Sequence, residues 1–225
     1  MRLHFTLSPN TETVPFDYPY LLTGTFHKLL GENAIHDTIS LYSLSWLHGG
    51  VTMRNGKKIE GGLDFPQGAR WFISAHDETL LQKIAGGALR DTDVCYGMKV
   101  TEIRTQLTPD FGSRFCFKAG SPILARSKEV KGRVTHYTHT DPEADQVLTQ
   151  TLRHKLDIAG LDSSSAKVQF DRTYRNAKTK LVTIKGIGNR CTVCPVVVEG
   201  APEAVQFAWN VGVGHLTGNG FGSLI

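Results

Sequence analysis

Nine histidines, four cysteines and a glycine-rich end are the residues of this 225-residue chain whose types could do chemistry. Histidine suits proton transfer near neutrality because its unperturbed pKa is about 6.5. His27 and His36 fall close together, and His48 follows beside Gly49-Gly50. By spacing alone, two of nine histidines lying near each other is weak support for a catalytic pair. His136 and His139 in THYTHTD could suggest a metal pair, but no third ligand accompanies them. Cys191-Thr-Val-Cys194 has CxxC spacing without a second ligand pair. CTVCPVVV looks like a strand, whereas a redox pair would open a helix, so both cysteines are expected to be small buried strand residues. No metal site and no cofactor are expected.

The C-terminus carries the most specific pattern, with Gly212, Gly214, Gly218, Gly220 and Gly222 enclosing His215. Glycine permits positive φ and lets another backbone approach closely. Successive N–H groups in such a loop make a concavity suited to phosphates. No Gly-Lys-Ser/Thr follows, and the glycines precede a strand and not a helix, so this is neither a Walker loop nor a dinucleotide fingerprint. A turn that merely tightens two elements is the competing reading.

Charge is unevenly spread. The net charge is +4, yet residues 1–50 hold two basic and four acidic residues. Residues 112–134 hold Arg114, Lys118, Arg126, Lys128, Lys131 and Arg133 against Glu129 alone. Residues 153–190 hold nine basic residues against three acidic ones. A polyanion footprint and a solvated face are equally consistent with that distribution. No run approaches the roughly 20 apolar residues of a membrane helix, and no signal peptide is recognisable, so a cytoplasmic protein without membrane contact is the default.

The elements that must position these residues follow from periodicity. Residues 1–7 alternate as a half-buried strand. Leu22, Thr25, Phe26, Leu29 and Leu30 share one helical stripe over 18–30, closed by Gly31, and His27 lies off that stripe. Strands are expected at Tyr42–Trp46 and 68–75, a helix at 77–89, and a strand pair near 94–107 and 113–118. The second half runs from a strand at 122–127 to a helix at 141–159 with Asp141 as N-cap. Strands near 166–174, 180–186 and 191–198, a helix from Ala201 and a terminal strand complete it. Each half is close to βαββαβ, so the fold class is α+β with two tandem ferredoxin-like domains, 1–119 and 120–225, and a C-terminal glycine-rich loop.

GxGxxTGxGFG at the C-terminus resembles the signature loop of CRISPR-associated RAMP ribonucleases, in particular the repeat-cleaving "Cas six" family. MRLHF, LLTGTFHKLL, LYSLSWL, the strand-helix run from RWFISAHDETLLQKI, Gly120-Ser-Pro-Ile and DPEADQVLTQTLRHKL resemble further blocks of that family in order. The resemblance covers essentially the whole chain. It implies a metal-independent endoribonuclease that binds and cuts CRISPR repeat RNA by attack of a ribose 2′-OH, leaving a 2′,3′-cyclic phosphate and a 5′-OH. It implies His36 as general base and His27 as acid or phosphate partner, with the two roles exchangeable. Gly212, Gly214, His215, Gly218, Gly220, Gly222, Arg126, Lys128, Lys131 and Arg133 would hold RNA, with Arg172, Arg175, Lys178 and Lys180 as reserves. One departure stands out: some members carry a lysine after the catalytic loop, whereas here no lysine lies between Lys28 and Lys57. Either two histidines would share the work, or the charge would come from elsewhere, such as Lys28 or an arginine of the second domain. A non-catalytic RAMP subunit binding RNA within a CRISPR effector complex is the alternative, and the resemblance leaves a homodimer open.

Overall fold

The computed structural model describes residues 1–31, 39–54, 56–128 and 134–225, with backbone alone at Lys128. His36, Lys131 and Arg133 lie outside the described residues. The first half contains β1 (Arg2–Leu7), β2 (Val14–Pro15), α1 (Pro19–Leu30), β3 (Tyr42–Leu44), β4 (Met53–Arg54), β5 (Lys57–Lys58), β6 (Gly62–Leu63), β7 (Ala69–Ala75), α2 (Glu78–Arg90) and β8 (Val100–Gln106). The second contains β9 (Arg114–Phe117), β10 (Ala125–Lys128), β11 (Val134–Tyr137), α3 (Glu143–Ile158), β12 (Lys167–Phe170), β13 (Lys178–Ile184), β14 (Ile187–Val193), β15 (Val196–Glu199) and α4 (Pro202–Val211).

The first sheet has the order β3-β7-β1-β8. This is the ferredoxin-like arrangement, and α1 and α2 cover the face that carries Leu3, Phe5, Leu7, Trp71 and Ile73. The second sheet has the order β12-β15-β9, extended beyond β9 by the chain end. Lys118 and Ile225 exchange both backbone hydrogen bonds, and Gly120 N–H donates to Ser223 O at 2.7 Å. The same fold therefore occurs twice. Contrary to its expected place closing the first half, β9 pairs with β15, and Phe117 packs in the second core. The chain thus changes sheet between β8 and β9, one strand before the expected division at 119/120. Alternation along RFCF shows a half-buried strand but cannot name its neighbours.

A second difference concerns residues 178–193. They form a hairpin, β13–β14, turning at Lys185 and Gly186 and standing outside the main sheet. Asp141 also differs from its expected capping role. Its carboxylate accepts from Thr138 N–H and Oγ, shaping the preceding turn, and α3 begins without a side-chain cap.

Side chains four residues apart on α3 close the free edge of β12. Phe170 N–H donates to Asp145 Oδ1 at 3.0 Å. Thr149 Oγ1 accepts from Val168 N–H at 2.9 Å and donates to Val168 O at 3.1 Å. Arg153 Nε donates to Ala166 O at 2.9 Å. The i, i+4, i+8 stripe of the helix matches every second residue of the strand, which removes an edge that another chain could pair with.

The halves are joined through α4, which is buried on nearly all sides from Ala204 to Val211. Arg2, on the outer face of β1, is 2% exposed and lies between two rings. Its guanidinium carbon sits 3.8 Å from the centroids of both Phe72 and Trp209. Nε donates to Ser74 Oγ at 2.5 Å, and Nη2 donates to Leu224 O at 2.7 Å and Trp209 O at 3.3 Å. Burial pulls its pKa down to about 9, so it stays charged at neutral pH. The Met1 ammonium adds hydrogen bonds to Ala75 O, Thr108 Oγ1 and Asn210 Oδ1.

Two stability outcomes are expected. Arg2→Met should cost about 2–4 kcal/mol in urea unfolding, because it leaves three acceptors unanswered and removes a cation between two rings. Thr149→Val should cost about 1–3 kcal/mol by stranding the Val168 N–H, with Thr149→Ser restoring most of it.

Candidate RNA-binding cleft

A cleft of about 730 Å³ opens between the halves. α1 contributes Tyr20, Gly24 and His27, and the run into β3 contributes Ser40 and Tyr42. From the second half come Arg126 of β10, Thr151 and Lys155 of α3, Lys185 of the hairpin turn, and the segment Gly214–Thr217 with Asn219. Residues distant in sequence and expected to act together, His27, Arg126, Gly214 and His215, do meet here. No aspartate or glutamate lines the cleft among the described residues, whereas Arg126, Lys155 and Lys185 do. A wall of cations without local counter-ions favours an anionic occupant.

The position of His27 is set by the helical stripe. Phe26 points into the core and stacks on Tyr42 at 4.5 Å, so the next residue turns toward the cleft. His27 is half-buried, with its ring edge-on to Phe26 at 5.1 Å. Burial raises the Tyr42 phenol pKa, and a hydrogen bond with Ser40 partly offsets this. His215 is pushed down to about 4, first by burial and then by the Arg126 charge, so it is neutral at pH 7.

The glycine-rich segment is packed rather than open. The N–H groups of Gly212, Val213, His215, Asn219, Gly220, Phe221 and Gly222 donate to backbone carbonyls of this chain. At those positions the expected phosphate-binding concavity is replaced by internal bonding. The glycines serve close approach instead. A Cβ at Gly222, where φ is 63°, would lie 1.9 Å from Val213 O. A Cβ at Gly218 would lie 2.4 Å from Ser40 Oγ and 2.8 Å from the Tyr42 hydroxyl. Trp46 Nε1 donates to Gly220 O at 2.7 Å, and Lys180 sits over that indole at 4.3 Å. The chain therefore presents side chains, His215 and Asn219, to the cleft.

Other expected residues are placed elsewhere. Lys28 pairs with Asp91 at 3.0 Å and bonds Asp93 O, so its charge is engaged against α2. Arg172 pairs with Asp145 at 2.5 Å and donates to His139 O and Asp141 O, holding the start of α3. His48 lines a separate pocket of about 240 Å³ with His4, Arg70 and Ile225. His136 faces Arg126 across the β10–β11 ladder, and burial lowers its pKa. Cys191 and Cys194 are buried, with thiols pushed up to about 12 and about 11. Lys155, Tyr20, Lys185 and Asn219 reach the cleft although their local sequence carries little signal for it. A lysine at 155, on the helical stripe of Leu148 and Leu152, is the one legible anomaly.

Two glycines should respond oppositely to alanine. Gly222→Ala should cost more than about 2 kcal/mol in thermal unfolding, because it combines positive φ with a backbone clash. Gly24→Ala, in a helix with nothing within 4 Å of the added Cβ, should stabilise by about 0.5–1 kcal/mol.

No helix among the described residues is long and apolar enough to cross a membrane. Among curated proteins none matches this chain. Solved structures do. One described as a Cas6-related gene from Pyrococcus furiosus superimposes with a TM-score of 0.83 at 18% identity, covering 100% of this chain and 97% of that one. A RAMP protein described as binding different RNA substrates gives 0.81 at 19% identity, with 100% and 99% covered. Thermus thermophilus Cse3, bound to an RNA representing a pre-cleavage complex, gives 0.55 at 12% identity, with 100% and 98% covered. At these identities the likeness establishes the shared fold, two ferredoxin-like units in tandem. The family described as CRISPR associated protein Cas6, C-terminal, matches residues 106–224, which is more than half of the chain and begins where β8 ends. With that match and this fold, the chain belongs to the Cas6 family of CRISPR-associated proteins.

Proposed function

We propose that this protein binds CRISPR repeat RNA in the cleft between its halves and cleaves it once by acid–base catalysis. The observation that carries the reading is the cleft itself, lined by His27, Arg126, Lys155, Lys185 and His215 with no carboxylate among its described residues. A phosphodiester supplies the missing negative charge. Structures of similar fold, one described as a Cas6 product complex and one as Cse3 bound to an RNA, support the same substrate class.

In this reading a base removes the proton of the ribose 2′-OH, and the oxygen attacks the adjacent phosphorus. The P–O5′ bond breaks, and an acid protonates the leaving 5′ oxygen, giving a 2′,3′-cyclic phosphate and a 5′-OH. His36 is the proposed base and His27 the acid or phosphate partner. His36 precedes Ile39 and Ser40, which line the cleft. Arg126 and Lys185 would offset the charge that develops on the phosphorane oxygens. His215, neutral at pH 7, would act as a hydrogen-bonding contact. No step requires a metal, since the nucleophile belongs to the RNA.

The test is cleavage of a 5′-labelled repeat RNA in EDTA. Wild type should cut at one site, and a 2′-deoxy substitution there should abolish cutting. His36→Ala and His27→Ala should each slow it by about 10²-fold or more, with binding largely kept. Tight binding without cleavage by wild type would make the protein an RNA-binding subunit. Cleavage at the full rate by both histidine variants would refute both assigned roles.

A further inference from the structure

One charged group of the cleft has no use in that chemistry. Lys155 is 2% exposed, yet it borders the cleft. Its Nζ donates to Val211 O at 3.2 Å and to Thr217 Oγ1 at 2.9 Å, both neutral acceptors. Val211 is the last residue of α4, where unpaired carbonyls leave a partial negative charge. Thr217 opens the turn whose next residue, Gly218, presses against Ser40 and Tyr42 of the first half. A single ammonium thus ties α3 to the end of α4 and to the segment that contacts both halves.

Among the described residues, the cleft beside this ammonium is lined by no carboxylate. On α3 the residue one turn earlier, Thr151, is neutral, and α4 presents carbonyl oxygen. β12 turns Val168 and Phe170 inward. β10 brings Arg126, the glycine-rich segment brings His215, and the first half brings His27 and Tyr42 across the cleft. A buried charge held only by neutral dipoles is costly, and it gains whenever an anion enters nearby.

We infer that Lys155 is a positioning residue whose ammonium holds the glycine-rich segment in place, so that an RNA phosphate in the cleft and the proton on Lys155 stabilise each other. The inference rests on the proposed binding of RNA here. Burial pushes the Lys155 pKa down to about 7 in the empty protein, so near neutrality the group is part neutral. A bound phosphodiester favours the charged form and raises that pKa. RNA binding therefore takes up a proton above pH 7, and affinity falls as pH rises through the interval between the free and bound values. An exposed lysine, charged throughout, would give no such slope.

The test is fluorescence anisotropy with a labelled repeat RNA, blocked by 2′-deoxy substitution at any cleaved position. Kd is measured from about pH 6.5 to 8.5 for wild type, Lys155→Arg, Lys155→Met, His215→Asn and His27→Asn. Wild-type Kd should weaken about tenfold over that range, consistent with linkage of one proton. Lys155→Arg should bind tightly with a flat profile, and Lys155→Met should bind weakly with a flat profile. His215→Asn and His27→Asn should retain the slope. Should the Lys155 variants fail to fold, calorimetry of wild type at about pH 8 in two buffers of different ionisation enthalpy should show uptake approaching one proton. A pH-flat wild type, zero uptake, or a slope that survives in Lys155→Met or vanishes in either histidine variant overturns the inference while leaving RNA binding intact. Absence of RNA binding at every pH overturns the RNA reading, and this inference with it.

Discussion

Arg2, held between Phe72 and Trp209, ties together the two halves that wall the cleft. Each ferredoxin-like unit has its own core and sheet, and neither alone fixes how the other sits. The guanidinium joins β1, β7, α4 and the chain end in one place. Its planar fork gives three hydrogen bonds while both faces rest on aromatic rings. A lysine could not do this, since its ammonium lacks both the faces and the fork. With this contact set, α4 is enclosed by both halves and its C-terminus is delivered to the cleft.

The segment after α4 is constrained from both sides. It turns back on itself, with Val213 N–H donating to Gly222 O at 2.9 Å and Gly222 N–H donating to Pro122 O at 2.9 Å. It lies against Ser40 and Tyr42 of the first half and Leu124 of the second. Its glycines are required less by a ligand than by the backbone they must pass. Because most of its N–H groups are already used, the segment offers the cleft side chains in place of free N–H groups. The result is a cleft lined by Arg126, Lys155, Lys185, His27 and His215, with no carboxylate among its described residues.

Packing also separates basic residues that look equivalent in sequence. Arg172 and Lys28 are engaged with Asp145 and Asp91, whereas Arg126 and Lys185 border the cleft. Lys155 is buried behind the same wall. Net charge by segment locates the basic half but cannot sort these roles, since an ion pair depends on which carboxylate folding brings within reach.

Local periodicity is legible along the chain without any structure. α1 with Gly31, the strand at 69–75, α2 and the helix before residue 159 follow from apolar stripes and stop signals that act within a few residues. The glycine pattern and the order of blocks point to the family, and to His27, Arg126, His215 and the glycine-rich segment. Folding in three dimensions was needed to place β9 in the second sheet, to satisfy the glycine N–H groups internally, and to bring Lys155 and Tyr20 into one cleft with His27. The difference is one of range. Helical and strand periods are set by neighbours along the chain, whereas strand partners, desolvation and counter-ions are set by groups far apart in sequence, which only the packed chain brings together.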